Sequence, residues 1–283
     1  MRRRGILAGL SLLAGGCTLS TFDALAPRDA GARRVRRDQP YGAGPRQTLD
    51  VYAPEVRSGS APVLVFIYGG SWRSGNKNDY EFVGQAFAAQ GFVVVIPDYR
   101  LVPQVRFPEF VEDCAGAVAW AAANAAHVGG DPERIVLVGH SAGAYNAIML
   151  ALDQRFLRNA EVAPNVVKGA VGIAGPYDFL PFDVDSTRNA FGQFADPAAT
   201  QPISFARGDA PPLLLLWGER DDLVGRRNIE GLSAAMRERG GQVEAKLYPE
   251  LDHVNILLAL SRPLRDRGPV LADIAAFARR VTS

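Results

Sequence analysis

Apolar positions come in blocks along most of the chain, rather than alternating residue by residue. Residues 63–68, 92–96, 135–138, 167–173 and 213–217 are short apolar runs rich in β-branched side chains, each bounded by glycine, proline or charge. Such uninterrupted runs predict strands buried on both faces of a parallel sheet. Between them, 79–90, 109–126, 142–154 and 226–239 read as helices, with a last helix over 270–281. Strand–helix alternation of this kind predicts crossover units, and hence an α/β fold whose mostly parallel central sheet carries helices on both faces. Residues 48–52 add an edge strand and 243–248 a late one. The arginine-rich stretch 18–40 has no periodic pattern and reads as an irregular tether, which leaves 41–283 as the folded domain. Residues 176–211 carry prolines and aspartates but no clear strand. They read either as an insert forming a small lid over one end of the sheet or as an ordinary long connection, although loops of that length usually have a function.

Composition narrows the classes. At 283 residues and 48% hydrophobic content the chain can bury a large single-domain core without disulfides or a structural metal. Thirty-one basic residues against 30 acidic give a net charge of +1, so no basic excess points to a nucleic-acid partner. Two cysteines, Cys17 and Cys114, exclude a zinc finger or a disulfide scaffold, and Cys114 reads as a buried inert thiol. No phosphate-cradling glycine pattern is present, so neither a nucleotide cofactor nor a metal is expected.

The first seventeen residues read as an export signal. Arg2, Arg3 and Arg4 precede an apolar run over 6–14, and Gly15-Gly16-Cys17 ends it. That run is far shorter than the ~20 residues that span a bilayer. The Leu13-Ala14-Gly15-Gly16-Cys17 ending resembles a lipoprotein box, which implies a lipid anchor at Cys17 and a location in the bacterial cell envelope. Cleavage without lipid would release the chain into the periplasm.

Three motifs fall at carboxyl ends of predicted strands, where ligands bind in such sheets. Gly139-His140-Ser141-Ala142-Gly143 lies between a strand and a helix, the setting of a nucleophile elbow. A sharp turn there lifts the serine hydroxyl into the open. A serine needs a base, and the chain holds only His127, His140 and His253. His140 is adjacent to the serine and should point away, and His127 lies upstream in a helix end, which leaves His253. A carboxylate must orient that imidazole, and Glu219, Asp221 and Asp222 follow the 213–217 strand. The third motif, Tyr68-Gly69-Gly70-Ser71-Trp72, offers Gly70 and Ser71 backbone N–H groups which, with that of Ala142, would form an oxyanion hole. Each such donor is typically worth about 3 kcal/mol.

With these residues in place, the chain from about Asp50 onward resembles the α/β-hydrolase esterases and lipases of the hormone-sensitive lipase and bacterial carboxylesterase type. Asp98-Tyr99-Arg100-Leu101-Val102-Pro103 resembles that family's turn after the second buried strand, and Gly130-Asp131-Pro132-Glu133-Arg134 the lead into the nucleophile strand. The resemblance implies the α/β-hydrolase fold and a serine carboxylesterase cleaving small-molecule esters through an acyl-enzyme. It implies Ser141 as nucleophile, His253 as base and Asp221 as the acid, with Asp222 next in line. Tyr68 departs from the family's histidine and Ser71 from its third glycine. The rival readings are an arylformamidase-like amidase, a serine peptidase, and a catalytically silent binding module.

Overall fold

The computed structural model describes residues 17–56 and 59–283; the expected signal segment, apart from the backbone of Cys17, lies outside them. Eight strands form one sheet: β1 (Ala32–Pro40), β2 (Thr48–Pro54), β3 (Ala61–Ile67), β4 (Val93–Pro97), β5 (Gly130–His140), β6 (Val167–Ile173), β7 (Leu213–Gly218) and β8 (Val243–Tyr248), in the order β1-β2-β4-β3-β5-β6-β7-β8. From β4 to β8 every pairing is parallel, while β1 and β2 run antiparallel at one edge. The side chains of β4 and β7 are buried throughout and those of β3 and β6 nearly so, because helices cover both faces. The covering helices are α1 (Cys17–Leu25), α2 (Glu81–Ala89), α3 (Glu109–Asn124), α4 (Ala142–Leu152), α5 (Gln154–Asn159), α6 (Asp185–Phe191), α7 (Arg227–Glu238), α8 (Asn255–Leu258) and α9 (Val270–Val281). The expected α/β-hydrolase architecture is therefore present.

Residues 18–40 are not a tether. They form α1 and β1, joined to the sheet and to the site. Leu19, Phe22 and Ala26 lie on one face of α1 and its continuation, the spacing of a helix that packs on one side. Phe22 meets Phe82 edge-on, with ring centroids 5.5 Å apart. Asp23, buried, accepts the backbone N–H of Phe82 at 2.8 Å and a two-pronged contact from Arg28 at 3.0 and 2.9 Å. β1 pairs with β2 despite carrying Arg33, Arg34, Arg36 and Arg37, since Asp50, fully buried on β2, accepts from Arg34 Nη1 and from the Asp38 N–H. A charged, irregular strand suits an exposed sheet edge, which it protects from pairing with other chains. β2 is thus an interior strand rather than the edge.

The 176–211 segment holds α6 and two 3₁₀ turns, Pro197–Thr200 and Pro202–Phe205. It packs on α4 through aromatic rings. Phe191 meets Trp72 at 4.8 Å and Tyr145 at 5.1 Å, and Phe179 meets Tyr145 at 5.8 Å. Cys114 is buried against Asn146 of α4, whose side-chain amide donates to its sulfur at 3.6 Å, and burial pushes its thiol pKa up and keeps it protonated.

Candidate active site

Strand β5 ends at His140, helix α4 begins at Ala142, and Ser141 makes the whole turn between them. Its backbone sits at φ 55°, ψ −122°, a region that costs a side-chain-bearing residue on the order of 1–3 kcal/mol. The neighbours enforce it: the Ser141 N–H donates to the Ile173 carbonyl at 2.8 Å. Gly139 and Gly143 leave no room for a side chain, since a Cβ on Gly143 would lie 2.0 Å from the Ile67 carbonyl oxygen. The strain is held by packing, and its effect is to present the hydroxyl at the sheet's carboxyl end.

The structure brings Ser141, His253 and Asp221 together. His253 Nε2 is 2.8 Å from Ser141 Oγ, and His253 Nδ1 is 2.8 Å from Asp221 Oδ2. A carboxylate only accepts, so Nδ1 carries the proton, and Nε2 is left to accept from the serine hydroxyl. The Asp221 carboxylate is wholly buried, and its other oxygen accepts the N–H groups of Leu223 and Val224 at 2.9 Å each. The turn closes further where the Trp217 indole donates to the Val224 carbonyl at 2.8 Å. Asp222 and Glu219 face solvent, Glu219 near Arg226. His253 follows β8, and Asp252 fixes its loop by accepting the N–H groups of Val254 and Asn255.

His140 does not turn away from the site. Its ring lies 5.0 Å from that of His253, and its Nε2–H donates to the His253 carbonyl at 2.8 Å. Burial, together with the neighbouring His253, drives its pKa down to about 3, so it is a neutral donor holding the His253 loop. His127 is exposed at the end of a 3₁₀ turn.

The loop after β3 turns through three consecutive left-handed residues, Gly70 (φ 120°), Ser71 (φ 54°) and Trp72 (φ 57°). The Gly70 carbonyl accepts from Arg73 and Ser74, both at 3.1 Å, while the N–H groups of Gly70 and Ser71 meet no backbone acceptor among the described residues. The N–H of Ala142 belongs to the open first turn of α4, where helix dipole and free donors favour negative charge. A bracing network behind the loop was not anticipated. Tyr68, in the place of the family's histidine, stacks between Tyr80 and Tyr99 at 5.2 and 4.9 Å. Its hydroxyl donates to Asp98 at 2.5 Å and accepts from Arg46 at 2.8 Å, and Arg46 also donates to the Gly75 carbonyl. The Lys77 N–H donates to the same Asp98 carboxylate, which fixes both ends of the loop. Asp98 pays for its burial with a raised pKa. Tyr68, Asp98 and Tyr99 stood in motifs, but Arg46, Lys77 and Tyr80 did not, and the hydrogen bonds of the network join residues 21 to 30 apart in sequence, which leaves no local signal.

A cavity of about 1230 Å³ opens at Ser141 and His253, bordered by Gly69, Gly70 and Ser71. Its outer wall comes from α1 and from the residues after His253, and no residue of 176–211 borders it. The lid expected there has no counterpart at this opening. Among the described residues, no group of three or more His, Cys, Asp or Glu side chains is placed to hold a metal ion.

Comparison with known proteins gives the relatives of this arrangement. The family model BD-FAE matches residues 49–236. Esterase LipC of Mycobacterium tuberculosis is 32% identical over 270 residues, covering 87% of this chain and 65% of its own length. The Oryza sativa subsp. japonica protein named "Probable isoprenylcysteine alpha-carbonyl methylesterase ICMEL1" is 31% identical over 268 residues, or 85% of this chain and 62% of itself. The chain thus spans less than two thirds of these curated relatives' length. Among solved structures, esterase B of Lactobacillus rhamnosis superposes with a TM-score of 0.81 at 20% identity, over 93% of this chain and 91% of its own. At that identity the likeness is one of fold.

Proposed function

The chain belongs to the BD-FAE family of α/β-hydrolase esterases, and from that premise we propose that it hydrolyses carboxylic esters through Ser141, His253 and Asp221. The reading rests on one observation, the unbroken sequence of 2.8 Å contacts from Asp221 Oδ2 through the His253 ring to Ser141 Oγ. In the reaction, Ser141 Oγ attacks the ester carbonyl carbon as its proton passes to His253 Nε2. The carbonyl oxygen becomes an oxyanion, received by the N–H groups of Gly70, Ser71 and Ala142. Collapse breaks the bond to the alcohol oxygen, which takes the proton from His253 and leaves. Water then attacks the acyl-enzyme, giving its proton to His253, and the carboxylic acid departs as Ser141 regains its hydrogen. Asp221 keeps the imidazole in the tautomer this requires and stabilises its cation.

A panel of p-nitrophenyl esters, with N-formyl aromatic amides alongside, tests the reading. Wild type should turn over the esters, and Ser141→Ala should lose several orders of magnitude in kcat. Asp221→Asn should be crippled and Asp222→Asn mild. Turnover of the formyl amides without the esters would put an amidase in its place.

The same proposal covers location. The basic start, the apolar run over 6–14 and Cys17 support export and lipid anchoring. Because α1 starts at Cys17, the acyl chains would join directly to a helix bordering the cavity. Palmitate labelling of the precursor, with Cys17→Ser as control, decides between an anchored and a released enzyme.

A further inference from the structure

The helix α1 lies outside the 49–236 segment that the family model matches, yet it borders the cavity at Ser141. It contributes Leu19, Phe22 and Leu25, and the chain continues along the cavity at Ala26 and Pro27. Leu223, Val254, Leu257 and Leu258 line the same cavity. Two of the five exposed large apolar side chains among the described residues are on this rim: Leu25 at 78% exposure and Leu223 at 61%. The acidic and basic side chains in its lining, besides the two imidazoles, are the exposed Arg73 and Asp79, which is engaged by Ser20.

The aromatic cluster beyond the oxyanion loop adds no space to the cavity: Trp72, Tyr145, Phe179 and Phe191 pack ring against ring, with Trp72 and Phe191 almost fully buried, and none of them borders it. A substrate carbonyl at Ser141 therefore has open apolar space on the α1 side. The cavity is larger than the roughly 300–1,000 Å³ that takes a drug-sized ligand, and much larger than an acetyl group needs.

The wall is also fixed in place. Asp23 ties α1 to the start of α2, and Asp29 takes a two-pronged contact from Arg265, at 2.9 Å on both oxygens, in the 262–267 turn beyond α8. The 19–29 stretch is thus held at its middle, through Asp23, and at its far end, through Asp29, before any ligand arrives, the condition under which contact area converts most fully into affinity.

We propose that α1 is the specificity-determining wall of an alkyl subsite, so that the enzyme takes esters carrying a hydrocarbon chain that lies along Leu19, Phe22 and Leu25. The assignment rests on the esterase reading above and adds the substrate class to it. The chain belongs to the acyl group or to the alcohol, and two series of esters separate these sources. In the acyl series, p-nitrophenyl octanoate is compared with p-nitrophenyl acetate; in the alcohol series, octyl acetate with ethyl acetate. Each methylene that leaves water against this wall is worth about fourfold in kcat/KM.

Wild type should favour the long chain in one series. Leu25→Asp, at an exposed position, should lower kcat/KM for that long ester about tenfold or more and leave the short one within about twofold. Phe22→Ala should move the ratio in the same direction, and if it unfolds α1, Leu25→Asp still decides. An active wild type whose chain-length ratios are unmoved by Leu25→Asp overturns the alkyl wall and leaves the esterase reading standing. A wild type that hydrolyses no ester and takes no fluorophosphonate label overturns both.

Discussion

Segments 17–29 and 176–211 both reach the carboxyl end of the nucleophile strand, and they are built on different physics. The second is held by buried rings and buried polar bonds. Phe179 N–H donates to Gln201, the Tyr177 and Asp178 N–H groups donate to Asn228, and the Tyr145 hydroxyl donates to the Thr200 carbonyl. The first is held by two carboxylates: Asp23, steadied by Arg28 of the same segment, accepts the Phe82 N–H, and Asp29 is gripped by Arg265, with Phe22 as the main aromatic contact. Space follows from this difference. Close-packed aromatics leave none, so the Tyr177, Phe179 and Phe191 side of 176–211 joins the core although the segment has little regular structure and its other side is exposed. Two carboxylates, one inside the thin helix and one just beyond it, hold it and leave Leu19, Phe22 and Leu25 lining the cavity. An irregular segment near an active site is thus not a lid by virtue of its length, and a polar segment is not a tether by virtue of its charge.

The largest expected effect breaks the filled side. Phe191→Ala removes a ring in contact with Trp72, Phe110, Tyr145 and Phe179 and should cost about 3–5 kcal/mol in denaturant unfolding. A loss below about 1 kcal/mol would mean that the cluster repacks and that the segment behaves as a surface loop.

Acid sharpens the contrast, because the imidazoles border the open side. The pKa of His140 is lowered from 6.5 to about 3. Above pH 6.5 the folded and unfolded chains are both neutral there, and the full stability is present. Between pH 6.5 and about 3 only the unfolded chain takes the proton, so stability falls by up to about 1.4 kcal/mol per pH unit. His140→Gln, which keeps an N–H donor for the His253 carbonyl, should flatten that acid limb. An unchanged slope would contradict the buried neutral assignment.

The smallest effect concerns the clamp. Asp23→Ala leaves the buried Phe82 N–H without its acceptor and should cost about 1–3 kcal/mol, felt mainly by α1. Hydrogen exchange should show α1 amides exposed well ahead of those in β5. Simultaneous exchange would mean that α1 is part of the core.

Much of this was legible in the sequence, for identifiable reasons. β6 and α9 fall where the pattern placed them, because a buried strand and a one-sided helix leave strong local periodicity, and β8 falls there too although only Tyr248 in it is buried. β1 does not: Ala-Arg-Arg-Val-Arg-Arg-Asp has neither an alternating nor an apolar pattern, and its pairing depends on Asp50, sixteen residues from Arg34. α1 shows only three apolar positions on one face and follows a signal-like run, which disguises it. Ser141 and His253 were readable because the turn motif is local and imidazoles are scarce. Asp221 stood among three acids, and the family resemblance singled it out; the fold buries it and leaves Glu219 and Asp222 exposed. Arg46 and Lys77 carry no signal, because what they brace lies on another strand.

The central claim is that Ser141 is the activated nucleophile, and peptide mapping after reaction with a fluorophosphonate probe tests it most directly. Only a serine whose proton is drawn off by an adjacent base reacts with such a probe at an appreciable rate. The adduct should lie on Ser141 alone, disappear in Ser141→Ala and fall sharply in His253→Ala, while His127→Ala labels as wild type does. Labelling that persists in Ser141→Ala, or a wild type that takes no label, would contradict the account.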